Sequence, residues 1–317
     1  MADAVISRRG GGKLKLEGIR IATPPARLEY FASDAFDPSG MVVYATISGA
    51  EMAITGYTFS PEILSPDTDA VTITYTLDGV TANAAQPVGV IAADATLANN
   101  SWETIARVAA SGKAADVWNV GDIKVATING TGYEFRIIGF DHDVLDTTDA
   151  KYNDASYNGG KKLAGITFML ASRFATQYSM GTSTPYGWGN SKIRSTILPT
   201  KIKALLQADV LDAMRTVKKT YASTFTAGKP SASASVADDL FLLSAKELLG
   251  GYENYDEGTQ YGYFAAGNTC KFSYAYWTRS LHASYASSGY YIIITANGQA
   301  SYRAGHEENY IYPAFCV

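Results

Sequence analysis

An α+β domain, preceded by an all-β sandwich and a short N-terminal arm, is the architecture this sequence predicts. Three observations predict it. Period-two strand patterns, punctuated by turn residues, crowd residues 21–92. Helix-capping patterns begin only after residue 97. The chain then closes on a strand-forming stretch so rich in aromatics that 12 of its 22 tyrosines fall in the last 66 residues.

Composition narrows the function classes. At 317 residues and 47% hydrophobic, the chain is long enough for two domains with real cores. Charged residues make up 18% and the net charge is −4, so the basic field that nucleic acid or an anionic membrane requires is missing. No apolar run of bilayer length occurs, and the N-terminus has no apolar core ahead of a cleavage site, so neither a membrane span nor a secretory signal is expected. Two cysteines, Cys270 and Cys316, make no disulfide framework; they could pair, and buried free thiols are the favoured reading.

Residues 1–20 read as a flexible anchoring arm. Arg8-Arg9 precede the hinge Gly10-Gly11-Gly12, and Lys13 and Lys15 alternate with Leu14 and Leu16. Residues 21–92 read as a small β-sandwich. Met41–Ile47 follows the turn Asp37-Pro38-Ser39-Gly40, Thr55–Phe59 ends at Pro61, and Val71–Thr76 alternates apolar residues with threonine. Asp78-Gly79 marks a hairpin turn before Val80.

Beyond a linker at 92–97, Asn100 and Glu103 form a capping-box pattern for a helix with Trp102, Ile105, Ala106 and Ala109 on one face. Asn129-Gly130 joins Asp122–Ile128 to Tyr133–Phe140 as a hairpin, and Ile166–Leu170 is a buried strand. Asn190 is expected to cap a short helix containing Ile193, Arg194 and Ile197, and after Pro199 residues Ile202, Leu205, Leu206 and Val210 give a second apolar face. The low-complexity run Thr226–Val236 reads as a mobile surface loop, and Asp239–Ser244 as a buried strand. Ser244 and Glu247 then cap a helix that Gly250-Gly251 stops.

Two stretches resemble known families. Leu28–Phe31, Asp34–Met41, Ile54–Tyr57 and Val71–Tyr75 occur in the order seen in bacterial immunoglobulin-like repeats, which act as spacers or decorations on surface proteins. Residues 97–317 run through SWETIARVAASGKAADVWNVGD, FRIIGFDHD, GWGNSKIRS, DDLFLLSAKEL, YWTRS and a terminal PAF. This order resembles the C-type lectin fold, related to formylglycine-generating enzymes, of phage and prophage variable proteins targeted by diversity-generating retroelements. The resemblance implies a variable region at about 277–317, in which mutagenesis at template adenines scatters Asn codons into Tyr, Ser, His, Asp, Gly and Ile. Many relatives carry Gly-Val-Arg before Pro-Ala-Phe, whereas this chain has Tyr310-Ile311-Tyr312. Either positions 310 and 312 are themselves diversified or this subgroup differs.

The same resemblance gives Trp277, Arg279 and Pro313–Phe315 as anchors, with alternate residues between them facing solvent. The expected ligand surface is Leu281, His282, Tyr285, Ser287, Tyr291, Ile293, Tyr302, Arg303, His306 and Tyr310. Tyrosine gives large contact area with few torsions to freeze, and Ser, Gly and Asn adapt their hydrogen bonds, which suits recognition. No catalytic residue, metal or cofactor is expected. The enzymes of this fold use a pair of active cysteines, and Cys270 and Cys316 flank the variable segment instead. Asp141-His142-Asp143, with Asp146, Asp149 and Asp154, matches no EF-hand and reads as a solvated acidic loop. Calcium-lectin signatures (Glu-Pro-Asn or Gln-Pro-Asp, with Trp-Asn-Asp) are also missing.

The expectation is a non-enzymatic phage structural protein on the virion surface, made in the bacterial cytoplasm. Its partners would be a host-surface or mucosal protein or glycan, other virion proteins through the arm, and further copies of itself in a homo-oligomer. The rival expectation is a purely architectural capsid-decoration or tail component whose tyrosine-rich face is buried between subunits.

Overall fold

The computed structural model describes residues 13–181, 187–226, 229–251, 256–285 and 289–317, without the side chains of 224–231. The chain divides into two compact units, residues 1–92 and 93–317, and is built mainly of β-sheet with few helices. Among the described residues no helix is long and apolar enough to cross a membrane.

The first unit is all β. Leu16–Thr23, Val42–Ile47 and Ala50–Ile54 form one antiparallel sheet, Thr58–Ser60, Ala70–Leu77 and Val80–Pro87 another. Tyr30, Met41 and Val43 pack with Leu64, Val71 and Ile73 in a single cluster, so the two sheets share a core. The pattern in Ala70–Leu77 shows why: Val71 and Ile73 are fully buried and Thr72 between them is exposed. Asp78 (φ 50°) and Gly79 (φ 84°) both take left-handed backbone, as a tight hairpin with a right-handed twist requires.

The expected arm is shorter than 1–20. Residues 1–12 lie outside the described residues, and a strand begins at Leu16, pairing Arg20 with Tyr44 and Ile21 with Val43. The alternation of Leu14 and Leu16 with lysines, read as part of the arm, is a strand pattern. Leu16 is buried and Leu14 packs on Ala45 and Ile47.

The second unit is organised on a five-stranded sheet, in the order Leu240–Phe241, Ala314–Cys316, Ile166–Leu170, Thr131–Phe140, Ile123–Ile128. The chain's last strand is thus interior, with Phe315 opposite Phe168 and Leu240. Helix Trp102–Ala110 lies against it. Trp102 meets Phe168 edge-on at 5.2 Å, and Phe315 stacks on Phe168 at 5.5 Å. Gly165 permits this approach, since a Cβ there would sit 2.8 Å from the Ala109 carbonyl.

Ser101 caps that helix, its Oγ accepting from the Thr104 amide at 3.0 Å. Asn100, the expected cap, is buried and committed elsewhere: Oδ1 accepts from the Asp94 amide (2.8 Å) and Nδ2 donates to the Asp94 (2.9 Å) and Thr96 (3.0 Å) carbonyls. The Ser244–Glu247 capping box is present with both of its hydrogen bonds. Around Asn190, the serine next to it acts instead: Ser191 Oγ accepts from the Arg194 amide at 3.2 Å. The helix Ile193–Ile202 runs through Pro199, in the wider π form.

The expected mobile loop at Thr226–Val236 belongs to a long antiparallel hairpin, Val217–Thr226 with Lys229–Asp238. Its Ser-Ala repeat carries little strand propensity of its own. Pairing supplies the order: Ser235 lies opposite Thr220, and Ala234 opposite Tyr221, which is buried in the domain.

Candidate binding surface

The three-stranded sheet Tyr276–Leu281, Tyr290–Ile294, Ala300–Ala304 carries most of the tyrosine-rich segment. All six residues of its first strand are buried, and so are the last four of its middle strand. One face presents Arg279 to an ionic core, and the other strand face is also sealed: Thr278 Oγ1 donates to the Ile292 carbonyl at 2.8 Å. Trp277 Nε1 donates to the Tyr178 carbonyl at 2.7 Å. Alternate solvent exposure therefore does not hold in these two strands.

Three expected surface residues are interior for this reason. Leu281, Tyr291 and Ile293 are 1%, 4% and 5% exposed. Tyr291 places its hydroxyl on the Gly187 carbonyl (3.2 Å), and burial raises its pKa well above the ordinary phenol value. The expected site mixed two faces. Tyr291 pairs with Arg303 and Ile292 with Tyr302, so Tyr302 shares a face with Tyr290 and Ile292 and not with Tyr291.

Tyr290 was missed, and it completes the exposed cluster. Four rings converge where the first strand ends. His282 stacks on Tyr285 at 5.1 Å and lies 4.5 Å from Tyr302. Tyr285 is 5.1 Å from Tyr302 and 5.7 Å from Tyr290. Backbone bonds hold these residues close: the His282 amide donates to the Tyr290 carbonyl at 2.9 Å, and the Tyr290 amide to the Tyr285 carbonyl at 3.2 Å. Tyr285 and Tyr302 remain 44% and 46% exposed although ringed by aromatics. Of the other expected residues, His306 is exposed, and Arg303 is half-buried within 3.7 Å of Glu307. Ser287 lies outside the described residues.

Tyr310 belongs to a second patch, at the opposite end of the first strand, whose six residues span roughly 17 Å. Arg173 donates to the Tyr310 hydroxyl at 2.8 Å and lies over the exposed Tyr274 ring at 4.4 Å. Neither Arg173 nor Tyr274 was expected in the site. Arg173 sits far away in sequence, beyond the strand Ile166–Leu170, and only the fold brings it to Tyr310. Next to this patch Tyr312 stacks on Phe272 at 3.8 Å, and burial pushes its pKa up to about 12.

Under the sheet lies a buried charged network. Arg279 pairs with Glu247, which also accepts from Lys219 Nζ at 2.9 Å. Lys219 contacts Asp143 at 2.6 Å, and Tyr261 donates to Asp143 at 2.8 Å. Burial opposes ionisation of Asp143 and Glu247, yet the adjacent cations win and hold both carboxyls below their ordinary values. Burial likewise disfavours the Lys219 ammonium, and the attraction of Asp143 and Glu247 outweighs it.

The acidic run 141–154 is therefore not a solvated loop throughout. Asp143 is 5% exposed, while Asp149 Oδ2 accepts from the Thr216 amide at 2.7 Å. Among the described residues no group of three or more His, Cys, Asp and Glu is placed to hold a metal ion. Cys270 and Cys316 are both buried and free.

The motif Gly187-Trp188-Gly189 supports the same region. Trp188 is fully buried and donates to Asp238 Oδ2 at 2.7 Å. Its neighbour Gly189 leaves room for Tyr221, whose hydroxyl would lie 2.1 Å from a Cβ at that position.

Residues 164–317 match a family described as a domain of unknown function, DUF6273. That stretch includes all three strands of the tyrosine-rich sheet, the Lys219 hairpin and the terminal strand, but begins after Asp143. No curated protein matches the chain.

Proposed function

We propose that the second unit is a C-type-lectin-fold recognition domain of the retroelement-diversified kind, displayed on a phage particle, and that it binds without catalysis. The observation carrying this reading is the four-ring cluster of His282, Tyr285, Tyr290 and Tyr302. It is exposed at its centre, yet mounted on a sheet whose first strand and the last four residues of whose middle strand are buried. That is how a recognition surface keeps its scaffold while its tips change: exposed rings contribute contact area and little to folding. The first unit, which resembles an immunoglobulin-like repeat, acts as a spacer, and the residues ahead of its first strand fasten the protein to the virion. The ligand is a protein or glycan of the host surface or mucosa, and many copies on one particle turn weak contacts into avidity of about 10²–10⁴.

Labelled protein applied to panels of intact bacterial cells and to mucin tests the reading. Binding that Tyr285→Ala and Tyr302→Ala together abolish, with the fold intact by circular dichroism, supports it. Undiminished binding by that variant refutes it. The nucleotide sequence supplies a second check: diversification requires a near-repeat of the codons for about 277–317 beside a reverse transcriptase gene, differing mainly at adenines. A purely architectural role instead requires these rings to be covered by neighbouring subunits in the assembled particle.

A further inference from the structure

The buried Lys219–Asp143 ion pair is closely enclosed by further donors and acceptors. Lys219 Nζ lies 2.6 Å from Asp143 Oδ1, so the carboxyl carbon is one bond beyond. Both side chains are nearly sealed from solvent, at 2% and 4% exposed. The Phe241 ring lies 4.0 Å from the amine, which walls water away from it. The other carboxyl oxygen, Oδ2, collects three donors: Thr167 Oγ1 at 2.6 Å, the Tyr261 hydroxyl at 2.8 Å and Cys316 Sγ at 3.4 Å. A third participant, Glu247 Oε1, sits 2.9 Å from the same Nζ.

We propose that Lys219 and Asp143 condense into an intramolecular amide, with Glu247 and Tyr261 as the proton relay. The ground state is the ammonium–carboxylate pair, so the step begins with one proton crossing the short Nζ–Oδ1 contact. The neutral amine then attacks the carboxyl carbon, and negative charge moves onto Oδ2, where the three donors already point. Glu247 Oε1 takes one proton from the attacking nitrogen. The Tyr261 hydroxyl, 3.2 Å from Nζ and 3.0 Å from Oδ1, passes its own proton to the Oδ1 hydroxyl, and the proton held by Glu247 returns across the nitrogen to the tyrosine oxygen. The C–Oδ1 bond breaks, water leaves, and Oδ2 becomes the amide carbonyl oxygen.

In net count the three ammonium protons end as one on the amide nitrogen and two in the water, and Glu247 and Tyr261 are restored. Charge balances without an oxidant or cofactor. Two forces drive it. Fixed juxtaposition supplies an effective concentration on the order of 10⁵–10⁸ M in well-oriented cases, and the dry core gives the released water no route to reverse the reaction except from bulk. The neutral pair is a minor species beside so strong an ion pair, which makes the step slow; it has to occur only once per chain. With both cysteines free, the amide would be the domain's covalent brace, linking residues 76 apart in sequence.

The test is intact mass of the purified, folded wild-type chain, followed by peptide fragmentation. The expected mass is one water below that of the sequence, with a branched peptide joining the Lys219 and Asp143 segments. Full mass in folded protein overturns the proposal, and so does a water loss that fragmentation places elsewhere, such as an aspartyl imide. Lys219→Arg is expected at full mass. Glu247→Gln is also expected at full mass, and a folded E247Q that still forms the branched peptide overturns the relay role. Because the decisive measurement uses the wild type, a variant that fails to fold leaves the result readable. It is also independent of whether the aromatic surface binds anything.

Discussion

Arg279 and Glu247, 32 residues apart in sequence, form a two-pronged ion pair whose side chains are 0% and 2% exposed. Every donor of the guanidinium is used. Nε bonds the Thr220 carbonyl (3.1 Å), and the two terminal nitrogens reach Glu247 and the Leu242 and Glu257 carbonyls. One side chain thereby ties the tyrosine-rich sheet to the Val217–Thr226 hairpin strand, to the strand end before Ser244 and to the capped helix after it. Arg279→Met leaves Glu247 with one cation where it had two, and is expected to cost about 3–5 kcal/mol. Arg279→Lys keeps the charge but offers three donors without the planar fork, so its loss falls between wild type and R279M. Urea denaturation midpoints check that order.

Glu257 gives a pH dependence of definite sign. Burial raises its pKa above the ordinary 4.5, against the pull of Arg279. A raised acid contributes stability that is present below pH 4.5 and lost as pH rises through the folded value. Wild type should therefore fall in stability relative to Glu257→Gln across that window, by at most about 1.4 kcal/mol per pH unit, then run parallel to it. Glutamine fits because its amide keeps both contacts, the Ala222 amide and the Ser280 hydroxyl. Glu247 has the opposite sign: its folded pKa is depressed, so its contribution is present above pH 4.5 and lost as pH falls. Unfolding free energies of wild type and E257Q measured from pH 4 upward separate the two.

The capping assignment is tested by a neighbouring pair. Ser101→Ala removes one exposed cap bond and should cost about 1 kcal/mol. Asn100→Ala strips the 94–97 turn of its buried partners and strands the Asp94 amide, which places its cost above that of S101A, at about 2–3 kcal/mol. Equal losses would return the cap to Asn100. Thermal unfolding of the two variants decides.

These cases show what was legible. Patterns whose physics is local came through: the Asn129-Gly130 turn, the Ser244–Glu247 box, and the buried run Ile166–Leu170. Patterns decided by distant partners did not. Nothing near Asp143 announces Lys219, 76 residues away, so its carboxylate passed for one of a solvated run. The Ser-Ala repeat became a strand only through Tyr221 and its hairpin neighbours, and Leu14 and Leu16 only through Ala45 and Ile47. In the candidate site, the composition marked the segment that carries the four rings, but the face of each residue depended on strand register. Tyr290 was lost and Tyr291 gained by a one-residue error of parity.

That parity error yields the sharpest test of the surface. Tyr302→Ala removes a ring that is 46% exposed, so stability should stay within about 0.5 kcal/mol of wild type. Tyr291→Ala empties a 4% exposed site and orphans the Gly187 carbonyl, and should cost about 3–5 kcal/mol, as large aromatic deletions in cores do. The two residues lie one strand apart with similar chemistry, so composition cannot separate them; only the register that pairs Tyr302 with Ile292 and Tyr291 with Arg303 does. Guanidinium denaturation of both variants, with cell binding of the folded ones, makes the comparison. If Tyr302→Ala unfolds the domain while Tyr291→Ala does not, the face has been assigned the wrong way round. The aromatic cluster would then be core and could not be a recognition surface.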